Sequence, residues 1–161
     1  VFDALASDGK ILEDEVRKSE KEKGPLLVTG NITSLSVPKD GPSAGISLFL
    51  AVYGAITNQS IKPTAETPLL AATGEVTGNL DRIGVIGGLR DKILAAHRFG
   101  MRRVIIPKDN EDDIKDIAPD VLSEMEIMPV SSMLEALEYA YPNEKKRIDE
   151  YRNSQTKRGS S

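Results

Sequence analysis

The 161-residue sequence has no cysteine and no tryptophan, a single histidine, and only 4% aromatic residues. Without cysteine, thiol nucleophiles, disulfide staples and cysteine-ligated zinc are excluded, and a reducing, cytoplasmic compartment is the natural expectation. No apolar run approaches the ~20 residues that a membrane-spanning helix needs. Basic residues are outnumbered, 21 against 25 acidic, and the net charge of −4 argues against nucleic acid as a partner, since phosphate binding wants a basic face. A Walker motif, an internal repeat and a signal peptide are all missing, and the chain opens on Val1 rather than Met, as expected of a fragment or processed piece of something longer.

The length suits one domain with a core of its own. Residues 1–6 read as the end of a strand. Residues 11–23 read as a charged, solvated helix with Ile11, Leu12, Val16 and Ser19 on one face. Strands are expected at 26–29 and 32–37 around the Gly30-Asn31 turn, at 69–74, and as a hairpin over 75–77 and 82–86. Helices are expected at 46–56, at 89–99 with Gly100 closing it, at 111–117 as a short acidic piece, and at 132–141 capped by Ser131 or Ser132. Strands are also expected at 104–107 and 126–130. The pattern is α+β, a mixed sheet with packed helices over residues 1–142. Residues 143–161 carry too little apolar residue for a core and read as a charged, flexible tail, either a loose helix or disorder.

The stretch that invites chemistry is Pro38-Lys39-Asp40-Gly41-Pro42-Ser43-Ala44-Gly45, running straight into the apolar helix. Gly41 and Pro42 suit a sharp turn with Pro in the first helical turn, and Asp40 is placed to cap. Ser43 then stands at a helix start, where unpaired N–H groups and the helix dipole would stabilise the oxyanion of a carbonyl that it attacked. Taken alone, the same residues fit a capped core helix better, since Ser is common at helix starts on capping grounds.

A serine nucleophile needs a base. On the 89–99 helix, His97 falls with Arg90, Leu94 and Arg98 on the outer face, while Leu89, Lys92, Ile93, Ala95, Ala96 and Phe99 make the opposite, mostly apolar face. Lys92 is the anomaly. Burial disfavours a charged ammonium, which is the condition for a lysine to accept a proton near neutral pH. The alternative is a snorkelling side chain with its amine in water.

Three other motifs carry less. Ser36-Val37-Pro38-Lys39 has Ser-x-x-Lys spacing, but Pro38 and the alternation before it oppose the helix that this motif needs. Gly84-Val85-Ile86-Gly87-Gly88 lacks the Gly-Lys-Ser/Thr ending of a phosphate loop and fits a strand-to-helix turn. Asp109, Glu111, Asp112 and Asp113 lack the glycine and distal glutamate of a calcium loop, and read as a helix start.

The octet closely resembles the nucleophile signature of the Lon proteases. Thr73-Gly74-Glu75-Val76 resembles their Thr-Gly-Glu strand, and Ile86-Gly87-Gly88-Leu89-Arg90-Asp91-Lys92 with Ala95-Ala96-His97-Arg98 resembles the segment bearing the family's lysine. The likeness continues to about Tyr141. It implies the Lon proteolytic fold, of the ribosomal-protein-S5-domain-2-like type, and a Ser-Lys dyad serine peptidase with catalytic Ser43 and Lys92. Thr73 would sit beside the dyad, and Asp40 beside the nucleophile in a gating position. It further implies a homo-hexamer degrading unfolded or damaged proteins. No cofactor is implied for this domain; ATP belongs to an ATPase module elsewhere in the parent polypeptide.

Lon proteases usually carry a longer insert between the strand's Val-Pro and the Pro-Lys-Asp-Gly element, and histidines in that strand. Here Ser34-Leu35-Ser36-Val37 passes directly to Pro38 without histidine. This marks a divergent branch and keeps one alternative, a non-catalytic Lon-like assembly or docking module of a larger ATPase.

Overall fold

A computed structural model of the chain describes residues 9–24, 41–61, 68–77 and 82–158. The strands expected at 1–6, 26–29 and 32–37, Asp40, and the hairpin turn at 78–81 lie outside the described residues. The elements follow as α1 (Gly9–Lys23), α2 (Gly45–Thr57), β1 (Leu70–Ala72), β2 (Glu75–Val76), β3 (Ile83–Gly84), α3 (Leu89–Arg98) and β4 (Arg103–Pro107). A 3₁₀ segment (Lys108–Asp116), α4 (Pro119–Ser123), β5 (Glu126–Val130), α5 (Met133–Ala140), a 3₁₀ turn (Pro142–Glu144) and α6 (Lys145–Arg158) complete the order.

Among the described residues β1, β4 and β5 form a parallel sheet in the order β1-β4-β5, with Ala71 opposite Val104 and Ile105 opposite Met128. β2 and β3 pair antiparallel, Glu75 opposite Gly84. A parallel sheet is covered on both faces, so its central strand reads as a continuous apolar run. β4 does so, and its period of two divides the interior. Ile105 joins Met128 and Val130 in a core with Ile46, Phe49 and Tyr53 of α2 and Met133 and Leu137 of α5. Val104 and Ile106 point the other way, into a second core with Leu89, Ile93 and Ala96 of α3.

Three expectations change. Helix α3 ends at Arg98, and Phe99 is 80% exposed instead of completing the apolar face. The chain unwinds there because Gly100 takes φ +77°, letting its N–H bond His97 O and that of Met101 bond Ala96 O, a closing turn that hands the packing role to Met101. The acidic stretch is a 3₁₀ helix that begins at Lys108, directly on the strand end, and α4 was not expected from the sequence. The charged segment after Pro142 folds back as α6, with Ile148 fully buried and Tyr151 packed on the first core. One apolar face on an otherwise polar helix is enough to dock it. Glu144 secures the docking by accepting Tyr53 Oη–H (3.2 Å) and Gln59 Nε2–H (3.0 Å), and it pairs with Arg147, which also reaches Glu15 on α1.

Candidate active site

Ser43 lies in the turn ahead of α2, two residues before the first helical residue Gly45. Gly41, at φ +90°, makes the bend before it. The first helix amides are less open than expected. Gly45 N–H donates to Pro42 O at 3.1 Å and Ile46 N–H to Gly74 O at 3.3 Å, whereas the N–H groups of Ser43 and Ala44 meet no acceptor among the described residues.

The turn is tied to the β1–β2 connection. Ser43 C=O accepts Gly74 N–H at 2.9 Å and Thr73 Oγ1–H at 3.2 Å, and Thr73 N–H in turn donates to Ile105 O on β4 at 3.0 Å. One turn along α2, Ser47 Oγ–H donates to Ala72 O at 2.6 Å. This contact was not anticipated; its signal in the sequence is a polar residue four positions after Ser43 within an apolar helix. Such close approach needs bare backbone. A Cβ on Gly45 would stand 2.7 Å from Val76 N, and one on Gly74 would stand 2.4 Å from Ile46 Cδ1.

Lys92 enters from the other side of the sheet. It sits in the first turn of α3, its N–H bonded to Gly88 O at 3.2 Å, between the buried Leu89 and Ile93. Gly88 ends the strand-to-helix turn at φ +66°. Lys92 is half-buried, and with Ser43 and Thr73 it lines one cleft of about 320 Å³. Ala71, Ala95 and Val104 also line it, so the lining is small and apolar apart from these three polar residues and Ser47. No hydrogen bond links Ser43 to Lys92 among the described residues.

The remaining candidates lie elsewhere. His97 does not line the cleft; its Nε2 meets Glu124 Oε2 at 2.9 Å, and its side chain is 24% exposed. The acidic residues are engaged locally: Asp112 with Lys115, Glu111 with Lys108, and Asp113 with Asn110. No group of three or more potential metal ligands occurs among the described residues. Ser36 and Lys39 lie outside them.

A serine and a lysine facing one apolar cleft are compatible with several hydrolytic chemistries, and sequence comparison narrows them. Residues 31–143 match the family model of the Lon protease (S16) C-terminal proteolytic domain. The chain belongs to this family. It is 45% identical over 107 residues to a Lon protease of Rickettsia bellii and 39% identical over 110 residues to one of Methanosarcina barkeri. It is also 42% identical over 106 residues to the Lon protease homolog 2, peroxisomal, of Zea mays. These matches cover 65%, 68% and 66% of this chain but 13%, 13% and 11% of those proteins, so the chain spans a small part of their length. Lon membership makes the domain a peptidase domain, and Ser43, Thr73 and Lys92 all fall inside the matched span. Among the described residues no helix is long and apolar enough to cross a membrane.

Proposed function

We propose that this chain is the serine endopeptidase domain of a Lon-type protease, with Ser43 as nucleophile and Lys92 as general base and later general acid. The observation that carries the proposal is the single cleft lined by both side chains. Lys92 takes the Ser43 Oγ proton as Oγ bonds to the scissile carbonyl carbon. The N–H groups of Ser43 and Ala44, which meet no acceptor among the described residues, are the donors we assign to the resulting oxyanion. The Lys92 ammonium then protonates the departing amine, leaving an acyl-enzyme that water, deprotonated by Lys92, hydrolyses. Hydrogen bonds from Thr73 and Gly74 to the Ser43 carbonyl hold the nucleophile's backbone through both steps.

The family relationship supports a fold of the ribosomal-protein-S5-domain-2-like type and a role in degrading unfolded or damaged proteins. It also supports a homo-hexameric assembly, and an ATPase module in the parent polypeptide as the sole user of ATP. We assign the protein to the cytoplasm, without a membrane partner and without nucleic acid as a partner of this segment. The test is cleavage of a labelled unfolded protein by the full polypeptide containing this domain. Ser43→Ala and Lys92→Ala are each expected to lower turnover on the order of 10³-fold or more while the assembly stays folded. Undiminished cleavage in either variant rejects the dyad. No cleavage by the unaltered polypeptide favours the non-catalytic docking module.

A further inference from the structure

Asn110 is the one uncharged polar side chain of the 3₁₀ segment that is buried, at 4% exposure. Its Oδ1 accepts the N–H of Ile86 at 2.9 Å, and its Nδ2–H donates to the C=O of the same residue at 3.0 Å. A second Nδ2 hydrogen reaches Asp113 Oδ2 at 2.7 Å, which fixes the amide's orientation. A side-chain amide thus grips both polar groups of one backbone residue, 24 positions away, as a neighbouring strand would.

Ile86 is the last anchored residue before α3. Gly87 and Gly88 follow, with no side chains to pack, and the Gly88 cap makes no side-chain hydrogen bond to the helix. The start of α3 therefore lacks the ordinary capping contact, and its place is set upstream by Asn110 and downstream by the buried Leu89. Lys92 lies in the first turn after that junction, its N–H bonded back to Gly88 O.

We propose that Asn110 is a positioning residue for Lys92: by clamping Ile86 it fixes where α3 begins, and thereby how far the Lys92 amine reaches toward Ser43. This inference rests on the dyad assignment for its catalytic consequence, but not for its structural one. A displacement of about 1 Å at a reacting group is enough to cost ~10²-fold in rate.

The test compares Asn110→Ala and Asn110→Asp with Ile148→Ala, which loosens the core far from Lys92. In the full polypeptide, the Asn110 variants are expected to lower kcat about 10- to 100-fold with little change in KM, and to move the acidic limb of the pH–rate profile. Ile148→Ala, at a matched loss of Tm, leaves that limb in place. Independently of activity, the ¹⁵N shift of Lys92 Nζ in this chain moves in the Asn110 variants and not in Ile148→Ala. A lowered Tm with an unmoved Lys92 signal and an unmoved pH limb overturns the inference. Activity surviving Lys92→Ala instead removes the dyad, and leaves the Lys92 signal to decide the clamp.

Discussion

The carbonyl of Ser43 accepts the backbone N–H of Gly74 at 2.9 Å, while the Gly74 carbonyl accepts the N–H of Ile46 at 3.3 Å. The two bonds form a short ladder between the turn that presents the serine and the connection between β1 and β2. Helix α2 and the strand connection are thus tied together, and the backbone of Ser43 is held from the sheet side.

That ladder leaves no room for a side chain at position 74. Gly74→Ala would place its Cβ 2.4 Å from Ile46 Cδ1 and 2.9 Å from Ile83 Cγ2, in a buried setting with atoms on two sides. We expect a loss of about 1–3 kcal/mol from overpacking. Urea denaturation measures it, and cleavage by the same variant should fall further than the population of folded protein does.

Thr73 offers a subtler cut. Thr73→Val keeps the shape but removes the hydroxyl that donates to Ser43 O, whereas Thr73→Ser keeps the donor. Since Gly74 N–H remains on that oxygen, a stability change of only about 1 kcal/mol is expected. Peptidase activity should drop in the valine variant and be largely kept in the serine variant. Equal activity in the two would remove Thr73 from the positioning of Ser43.

At the far end of α2, the Tyr53 phenol is pushed well above its usual range, first by burial and then by the Glu144 carboxylate that accepts its hydrogen bond. The folded chain thus holds that proton more tightly than the unfolded chain. The associated stabilisation is complete below the ordinary phenol range, near pH ~10, and is lost as pH rises above it. Chemical denaturation at several pH values between about 9 and 11 should show the unaltered chain losing stability faster than Tyr53→Phe. Tyr141, also raised by burial, contributes to the slope that remains in both.

Ile148 gives the plainest stability prediction. It is fully buried in the first core although the helix that carries it is predominantly polar. Ile148→Ala should cost about 2–5 kcal/mol in thermal or urea unfolding. A loss within the range of surface changes, about 0.5 kcal/mol or less, would mean that α6 does not dock.

The elements that periodicity can see were legible in the sequence. Helix α3 and the placement of Lys92 beside Leu89 and Ile93 followed from the 3.6-residue repeat, as did α2 and α5 from their apolar faces. What could not be read depends on distant partners. Composition averages over a segment, so one isoleucine in α6 was outweighed by its charges, although burial of a single face decides docking. Asn110 stands among acidic residues that read as a helix start, and no local pattern marks it, because its partner Ile86 lies 24 positions away in the connection from β3 to α3. His97 lies on the outward-facing side as expected, but Glu124, from the turn after α4, covers part of it. The resemblance to Lon proteases pairs Ser43 with Lys92, whereas the hydrogen bonds that hold the Ser43 turn come from Thr73 and Gly74, some thirty residues away, which no local pattern shows.

The division of the interior by β4 has a consequence for how this domain tolerates change. Ser43 is hung from the core that holds Ile46, Ile105 and Met128, and Lys92 from the one that holds Leu89, Ile93 and Val104. The thickness of a single sheet therefore serves as the ruler between them. Lesions placed well apart in the opposite cores should add in stability. Their effects on turnover should compound instead, because each shifts a different end of the same gap.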